Sequence, residues 1–281
     1  MPLLIRETIQ RNRVTILVYH DPAEATMLEH LRYLSRRYRI ISLRDFIEAR
    51  CRNDLHSLPK KALVITFDDG YRSNHGLADL FSRERIPVTI FVCTGIVGTR
   101  RQFWFRHVPN ASELEGVPDD ERIRRLDAHR FAPEREETTR EALSRPEIQA
   151  MAGRTFDFQS HTVSHPILPY CPAAKAKLEI VESKRKLEEE YGFDVYALAY
   201  PSGGYSERDC DLARDAGYRC ALTVDLGFNS AETDLFRLKR IPVGDRDSKH
   251  ELAAKSCGLW ELLKRLIRGK PHAYDRRGAP G

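Results

Sequence analysis

Apolar positions along the chain form short runs rich in β-branched residues, and these runs alternate with longer segments of helical spacing. The run at 14–19 is followed by 23–37, where Met27, Leu31 and Leu34 recur at helical intervals. Such alternation indicates a parallel sheet with crossover helices. Strands are predicted at 14–19, 40–43, 62–67, 88–93, 156–160, 195–200, 219–224 and 236–243, and helices at 23–37, 44–52, 71–85, 173–191 and 207–216.

The helix predicted at 173–191 is strongly charged. Its pattern suggests that Leu178, Val181 and Leu187 face inward, and Gly192 supplies a residue suited to end the helix.

Residues 99–153 interrupt the alternation. The segment is rich in charge, begins with aromatic residues at 103–105, and has helical rather than strand patterning at 119–127 and 138–151. Because a structureless loop of this length is uncommon in a compact domain, we interpret it as a helical insertion. We expect one domain over 1–281, with a core of about 13–245 and a C-terminal helix and basic tail over 248–281.

Composition narrows the class of protein. Of the 281 residues, 41% are apolar and 31% are charged, as in soluble globular proteins, and no apolar run is long enough to span a bilayer. Charges interrupt the first residues, so we expect no signal peptide. The six cysteines are scattered without Cys-x-x-Cys pairs, which favours reduced thiols and a cytoplasmic protein.

The net charge of +5 is mild and arises mostly from the C-terminal tail. Such a tail suits contact with an anionic surface, although a solvated end is the simpler interpretation. Because no nucleic-acid-binding motif accompanies the basic residues, we expect no nucleic-acid partner. The oligomeric state is left open.

Two short motifs combine carboxylates with imidazoles. The strand at 62–67 ends in Asp68, Asp69 and Gly70, and a glycine-assisted turn can direct both carboxylates into one crevice. The strand at 156–160 ends at His161, and one helical turn would bring His165 onto the same face.

Two imidazoles and one carboxylate leave positions open for water and substrate on a catalytic divalent metal. A bound metal acidifies water and polarises a carbonyl, while the second carboxylate remains free as a base. We take Asp69 as the ligand and Asp68 as the base, although spacing alone does not decide between them. Each motif alone is more common in turns or on surfaces. Their joint occurrence after strand-like runs favours a metal site.

These residues resemble the polysaccharide deacetylases with the NodB-homology domain (carbohydrate esterase family 4). The first motif of that family, Thr-Phe-Asp-Asp-Gly, is unchanged at 66–70, and its second, His-Ser/Thr-x-x-His, is present at 161–165. The resemblance implies an α/β fold, a distorted (β/α) barrel of about seven parallel strands. It also implies that Asp68 is the base and that Asp69, His161 and His165 bind a divalent metal. The expected metal is Zn²⁺, with Co²⁺, Mn²⁺ or Ni²⁺ as alternatives.

The third family motif, Arg-x-Pro-x-Gly, corresponds to residues 199–203, where its arginine is missing. The resemblance implies that the backbone N–H of Ser202 helps to hold an oxyanion, and we place Tyr200 and Pro201 at the substrate site. Since the family arginine orients the base, we expect Arg240, near the end of the last strand, to replace it. An ordinary surface ion pair is the alternative for Arg240.

The family's last motif, Leu-x-His, supplies a general acid and is absent after residue 200. We expect His20, directly after the strand at 14–19, to lie near the site and act as this acid; a hydrogen-bonded core histidine is the alternative. In the insertion, Trp104 or Phe105 is a candidate to stack on a sugar ring, and anchoring the insertion is the alternative.

The expected reaction is metal-dependent hydrolysis of an N-acetyl or O-acetyl group on a carbohydrate. Because the third and last motifs are incomplete, a non-catalytic glycan-binding protein on the same scaffold is one alternative. An amidase acting on a non-sugar N-acyl compound is another. The expected partner is an acetylated carbohydrate.

Overall fold

The computed structural model describes residues 2–8 and 10–259. The strands are β1 Thr15–Tyr19, β2 Arg39–Ile40, β3 Ala62–Phe67, β4 Val88–Val92, β5 Phe156–Ser160, β6 Ala197–Ala199, β7 Cys220–Leu222 and β8 Ile241–Pro242. The helices are α1 Pro2–Glu7, α2 Glu24–Arg37, α3 Leu43–Cys51, α4 Ala78–Glu84, α5 Asp119–Ala128, α6 Arg145–Ala152, α7 Ala173–Tyr191, α8 Glu207–Asp215 and α9 Lys249–Ser256.

Parallel strands form one curled sheet in the order β7-β6-β5-β4-β3-β1-β8, and β2 pairs with the first residues of β3. The seven strands on this path confirm the predicted parallel sheet and distorted barrel. Every residue of β1, β3 and β4 is buried. This burial explains why those strands are continuous apolar runs rather than alternating ones.

The barrel is closed by residues 238–242. Leu238 forms a parallel bridge with Leu222 of β7, and the N–H of Arg240 donates to the carbonyl of Asp225 at 3.0 Å. At the next residue β8 begins and pairs with β1, with Ile241 opposite Leu17. Arg240 is therefore built into the wall where the two ends of the sheet meet.

The core divides according to the two faces of the strands. Ile16 and Val64 belong to a buried cluster that also contains residues of β7 and of α3, including Phe46. Their neighbours Leu17 and Ile65 belong to a larger cluster with the surrounding helices. Because strand side chains alternate, the first cluster fills the barrel and the second fixes the helices outside it.

Several predicted elements differ from those observed. The strand predicted at 40–43 is reduced to Arg39–Ile40, because Ser42 caps α3 and Leu43 begins that helix. The helix predicted at 71–85 begins as a 3₁₀ helix, Arg72–Leu77, before α4. The helix predicted at 138–151 starts only at α6, because Ser144 and Glu147 form a capping box that fixes the start there. The strand predicted at 236–243 is reduced to β8 and preceded by a 3₁₀ helix, Leu235–Arg237.

The orientation predicted for α7 is confirmed for Leu187, which is buried, but it is wrong for Leu178, and Val181 is half-buried. Leu178 is exposed, and the inward face instead consists of Ala176, Glu179, Ile180, Ser183 and Leu187. The bounds of the helix agree with the prediction, and Gly192 caps it in the left-handed conformation.

The segment 99–153 carries α5, α6 and two 3₁₀ helices, Trp104–Arg106 and Ala111–Leu114, joined by irregular chain. Its apolar residues pack with Ile167, which follows the second histidine motif. Asp119 adds an ion pair to Lys175 of α7 at 2.7 Å. The insertion is therefore fixed to the barrel beside that motif.

Within residues 2–8 and 10–259, no helix has both the length and the apolarity needed to cross a membrane. The six cysteines are all free thiols. The C-terminal helix is present as α9, whereas the basic tail, from residue 260 onward, lies outside the described residues.

Asn229 gives a test of the barrel closure. Its buried side chain donates to the carbonyl of Lys239 and accepts from the N–H of the same residue, both at 2.9 Å. Asn229→Ala leaves both backbone groups unpaired, which should lower the free energy of unfolding by about 1–3 kcal/mol. Urea denaturation measures the change. Ser35→Ala, on the exposed face of α2, should leave it nearly unchanged, and equal stability of the two variants would contradict this account.

Candidate metal centre and active site

The candidate site lies at the carboxyl ends of neighbouring strands. Tyr19 of β1 is in register with Phe67 of β3, and the N–H of Asp68 donates to the carbonyl of Tyr19 at 3.0 Å. This register places His20 and Asp68 side by side. On the next part of the sheet His161 continues β5, and its N–H donates to the carbonyl of Val92 at 2.9 Å. Sites in barrels of parallel strands form at this end.

Asp69, His161 and His165 come together as a buried group whose possible ligand atoms all lie within 4.8 Å of one another. Oδ1 of Asp69 is 3.5 Å from Nε2 of His161 and 3.5 Å from Nε2 of His165. The three residues predicted as metal ligands are thus adjacent, and all are at least 95% buried.

The hydrogen bonds of this group fit a metal. Nδ1 of His161 lies 2.8 Å from the carbonyl of Ala199, which can only accept, so Nδ1 carries the proton and Nε2 presents a lone pair. Oδ1 of Asp69 is buried and has no hydrogen-bond partner among the residues that the structure describes. Ligands about 2.0–2.1 Å from a tetrahedral metal lie roughly 3.3 Å apart, so the observed separations suit one shared cation.

Backbone conformation at the site is unusual. Asp69, Thr162, His165 and Ser202 all have positive φ, between 51° and 71°. Residues other than glycine rarely adopt this region, and the cost is of order 1 kcal/mol or more for each. Gly70, at φ 76°, is the last residue of the first motif, and only glycine fits there because a Cβ would lie 2.7 Å from a methyl group of Val92.

The predicted contact between Arg240 and Asp68 is present. The guanidinium donates from Nη1 to Oδ1 and from Nη2 to Oδ2 of the carboxylate, each at 2.7 Å, in a bidentate pair. Its Nε donates to the carbonyl of Thr223 at 2.8 Å, and the group lies 5.7 Å from the ring centroid of Phe91. Arg240 is fully buried, so the surface ion pair considered as an alternative is excluded.

The two aspartates differ electrostatically. Burial would raise the pKa of Asp68, but the charge of Arg240 and the hydrogen bonds from its guanidinium outweigh it and lower the pKa to about 2. Among the described residues Asp69 has no guanidinium partner of this kind, and burial raises its pKa despite the opposing effect of His20. Burial also lowers the pKa of His165, which favours the neutral imidazole that binds metals.

His20 is partly exposed beside these groups, and its backbone carbonyl accepts from Nδ2 of Asn74 at 2.9 Å. Its charge acts on the pKa of both Asp68 and Asp69. The imidazole therefore lies near the two carboxylates, as the strand pattern predicts.

The third motif contributes backbone rather than aromatic groups. Ser202 is partly exposed, and its hydroxyl donates to Glu115 of the insertion at 3.3 Å. Tyr200 is fully buried and donates to the carbonyl of Phe236 at 3.1 Å, while Pro201 is also buried. The ring of Tyr200 packs in the hydrophobic core, so this side chain does not face the open site beside which the sequence analysis places the residue.

Trp104 is 5% exposed, and its indole N–H donates to the carbonyl of His165 at 2.9 Å. This position fits the alternative in which Trp104 anchors the insertion, rather than a sugar-stacking face. Phe105 is partly exposed, with its ring centroid 4.7 Å from that of His165. Of the two aromatic candidates, Phe105 is therefore the one that borders the site.

Two further residues contact the site without having been predicted. Tyr71 hydrogen-bonds Asp69, and burial together with the charge of that carboxylate raises the pKa of Tyr71. Glu179 of α7 binds the loop between the two histidines. Glu179 could have been recognised as a charged residue on the inward face of α7. The predicted inward face included Leu178 instead, which placed Glu179 outside it.

Comparison with known proteins agrees with this geometry. The sequence model of the polysaccharide deacetylase family matches residues 56–221, more than half of the chain. A curated Bacillus subtilis protein, the inferred polysaccharide deacetylase YxkH, is 21% identical over 185 residues, which cover 66% of this chain and 52% of that protein. The chain thus spans about half the length of this relative.

Two solved structures share the fold. The Streptococcus pyogenes deacetylase PplD, in complex with acetate, has a TM-score of 0.66 and 21% identity, with 87% of this chain and 98% of that one covered. IcaB from Ammonifex degensii has a TM-score of 0.65 and 19% identity, covering 88% and 98%. At these identities the likeness establishes the fold. The family assignment rests on the sequence match, and by that match the chain belongs to the polysaccharide deacetylase family.

Proposed function

We propose that this protein is a metal-dependent hydrolase that removes acetyl groups from a carbohydrate. The observation that carries the proposal is the buried trio of Asp69, His161 and His165 next to Asp68, a carboxylate held ionised outside the trio. Three ligands and one separate base are the parts that metal-assisted hydrolysis requires.

The charge balance of the site favours a divalent cation. Asp68, Asp69 and Glu179 are buried acids, and their charges jointly help to raise the pKa of buried Cys93 after burial itself. In the described part of the chain, Arg240 supplies the compensating positive charge through its ion pair with Asp68. If the imidazoles are neutral, three negative charges and one positive charge leave an excess of negative charge, which a divalent cation would neutralise.

Asp69, His161 and His165 would hold this metal. Zn²⁺ suits two imidazoles and one carboxylate, with Co²⁺, Mn²⁺ and Ni²⁺ as alternatives. When bound, the metal would supply a Lewis acid that polarises a carbonyl oxygen and acidifies water.

Asp68 is proposed as the general base. A carboxylate with a pKa of about 2 is ionised at neutral pH and can accept a proton from the water that attacks an acetyl carbonyl carbon. The bidentate pair with Arg240 fixes the plane of the carboxylate, and the guanidinium is itself fixed by Thr223. Arg240 therefore acts as a positioning residue in this proposal, in place of the arginine missing from residues 199–203.

Two more roles complete the proposed reaction. The backbone N–H of Ser202 is proposed to stabilise the oxyanion that forms when water adds to the carbonyl carbon. His20, close to both aspartates, is proposed to protonate the leaving amine or alcohol as the tetrahedral intermediate breaks down to acetate. Phe105 is proposed to contact the substrate at the edge of the site.

The carbohydrate substrate is supported by the match to the polysaccharide deacetylase family. The bidentate pair on Asp68 disfavours the non-catalytic glycan-binding alternative, because burying an ion pair is costly and sugar binding alone gives it no use. An amidase acting on a non-sugar N-acyl compound would use the same residues, so only substrates separate it from the proposal.

Metal content is the first prediction. The purified protein should bind about one Zn²⁺ per chain, and Asp69→Asn should lose it because the variant removes the anionic ligand. Elemental analysis and zinc titration of the chelator-treated protein measure this. Asp21→Asn changes a carboxylate outside the trio and should retain the metal. Loss of zinc from both variants, or from neither, would contradict the assignment of ligands.

Acetate release is the second prediction. With Zn²⁺ present, the wild-type protein should release acetate from acetylated oligosaccharides or sugar precursors. Asp68→Asn should lower the rate by about 10²–10⁴-fold, because general-base catalysis contributes about that factor, while the metal remains bound. A screen of N-acetyl sugars, O-acetyl sugars and non-sugar N-acyl amides identifies the substrate class. Release only from the amides would favour the amidase, and binding without release would favour the glycan-binding alternative.

The brace on the base is the third prediction. Arg240→Ala should lower kcat by at least about a hundredfold, since a small misplacement of a reacting group has that effect, and leave zinc content unchanged. The variant also leaves a buried carboxylate unpaired, so circular dichroism must verify folding at the assay temperature. Arg237→Ala removes a partly exposed cation from the same segment and should keep full turnover. An unchanged rate for Arg240→Ala would refute the role.

A further inference from the structure

The loop that carries the two histidines, residues 161–165, is here called the ligand loop. Its backbone leaves the usual conformations at Thr162, with φ 67°, and at His165, with φ 58°. Such residues persist only where their surroundings hold them. The distance between the two imidazoles therefore depends on contacts from outside the loop.

Carbonyl groups of the ligand loop are held from one side of the site. The N–H of Thr94 donates to the carbonyl of Thr162 at 3.1 Å, and that of Gly95 donates to the carbonyl of Val163 at 2.8 Å. The indole of Trp104 donates to the carbonyl of His165. These contacts leave the N–H groups in the middle of the loop to find acceptors elsewhere.

Glu179 supplies those acceptors. Its Oε2 accepts from the N–H of Val163 at 2.8 Å and from the N–H of Ser164 at 2.9 Å, and its Oε1 accepts from the hydroxyl of Ser164. The side chain is 4% exposed and forms no ion pair within the described residues. A carboxylate buried without a cation is costly, and these three hydrogen bonds are what stabilises it there.

We propose that Glu179 is a positioning residue that fixes the ligand loop so that His161 and His165 meet Asp69 at metal-binding distance. One carboxylate oxygen that receives two successive N–H groups fixes the orientation of both peptide planes between the histidines. The inference rests on the proposed metal site and adds a residue outside the ligands. Contacts of this kind around a metal site typically change affinity by about 10–100-fold.

Two substitutions separate hydrogen bonding from charge. Glu179→Ala removes all three acceptor contacts and should weaken Zn²⁺ binding by about 10–100-fold. Glu179→Gln keeps a carbonyl oxygen for both N–H groups and an amide that can donate to the Ser164 hydroxyl, so it should bind Zn²⁺ within a few-fold of the wild type. Competition with a chromophoric chelator measures the affinity. Hydrogen exchange of the Val163 and Ser164 amides in the metal-free protein should be faster in Glu179→Ala and nearly unchanged in Glu179→Gln.

Leu187→Ala is the matched control. It removes a buried side chain from the same inward face of α7, two turns further on, and lowers stability without contacting the ligand loop. Its zinc affinity and its exchange at 163 and 164 should match the wild type. The proposal is overturned if Glu179→Ala binds Zn²⁺ as tightly as the wild type, if Leu187→Ala weakens binding equally, or if Glu179→Gln is as weak as Glu179→Ala. If the wild type binds no metal, the proposed function is wrong. Amide exchange at Val163 and Ser164 in the metal-free protein would still test whether Glu179 holds the ligand loop.

Discussion

The bidentate ion pair between Arg240 and Asp68 joins the fold to the chemistry of the site. Asp68 belongs to the end of β3, and Arg240 belongs to the segment that closes the barrel between β7 and β1. A buried carboxylate this close to a second one would be hard to keep ionised without a cation. In the proposed mechanism the pair therefore keeps Asp68 ionised as the base, while Asp69 binds the metal. If residues 238–242 were displaced, Arg240 would leave Asp68, and the two aspartates would lose the difference in environment that separates their proposed roles.

Sequence reasoning was most successful where a single local pattern determines the structure. The run 62–67 is apolar except for Thr66 because both faces of β3 are buried, and its predicted bounds agree with the structure. It failed where patterns overlap. In α7 both Leu178 and Ile180 are apolar, so two stripes compete, and only packing shows that Leu178 is outside. The start of α6 was misplaced because the capping pair Ser144 and Glu147 was overlooked, although the sequence contains it.

The candidate site could be predicted where its residues form short contiguous motifs at the ends of strands. Asp68 and the three proposed ligands are predicted by two short segments. Arg240 is predicted because the arginine of the third motif is missing and the last strand offers a cation near its end. Glu179 and Tyr71 could not be found in this way, because their contacts depend on how a helix packs or a turn folds. Long side chains that reach the site from elsewhere leave no periodic signal, so only coordinates reveal them.

The bond from the indole of Trp104 to the carbonyl of His165 links the insertion to the ligand loop. An insertion attached only to the rim of the barrel could vary among relatives without changing the backbone of that loop. Here the same segment helps to set the backbone of a proposed ligand, so exchanging it for a relative's insertion would alter the proposed metal site together with the edge that the insertion forms. Diversification through this segment is therefore restricted to changes that keep an indole donor, or an equivalent one, at the second histidine.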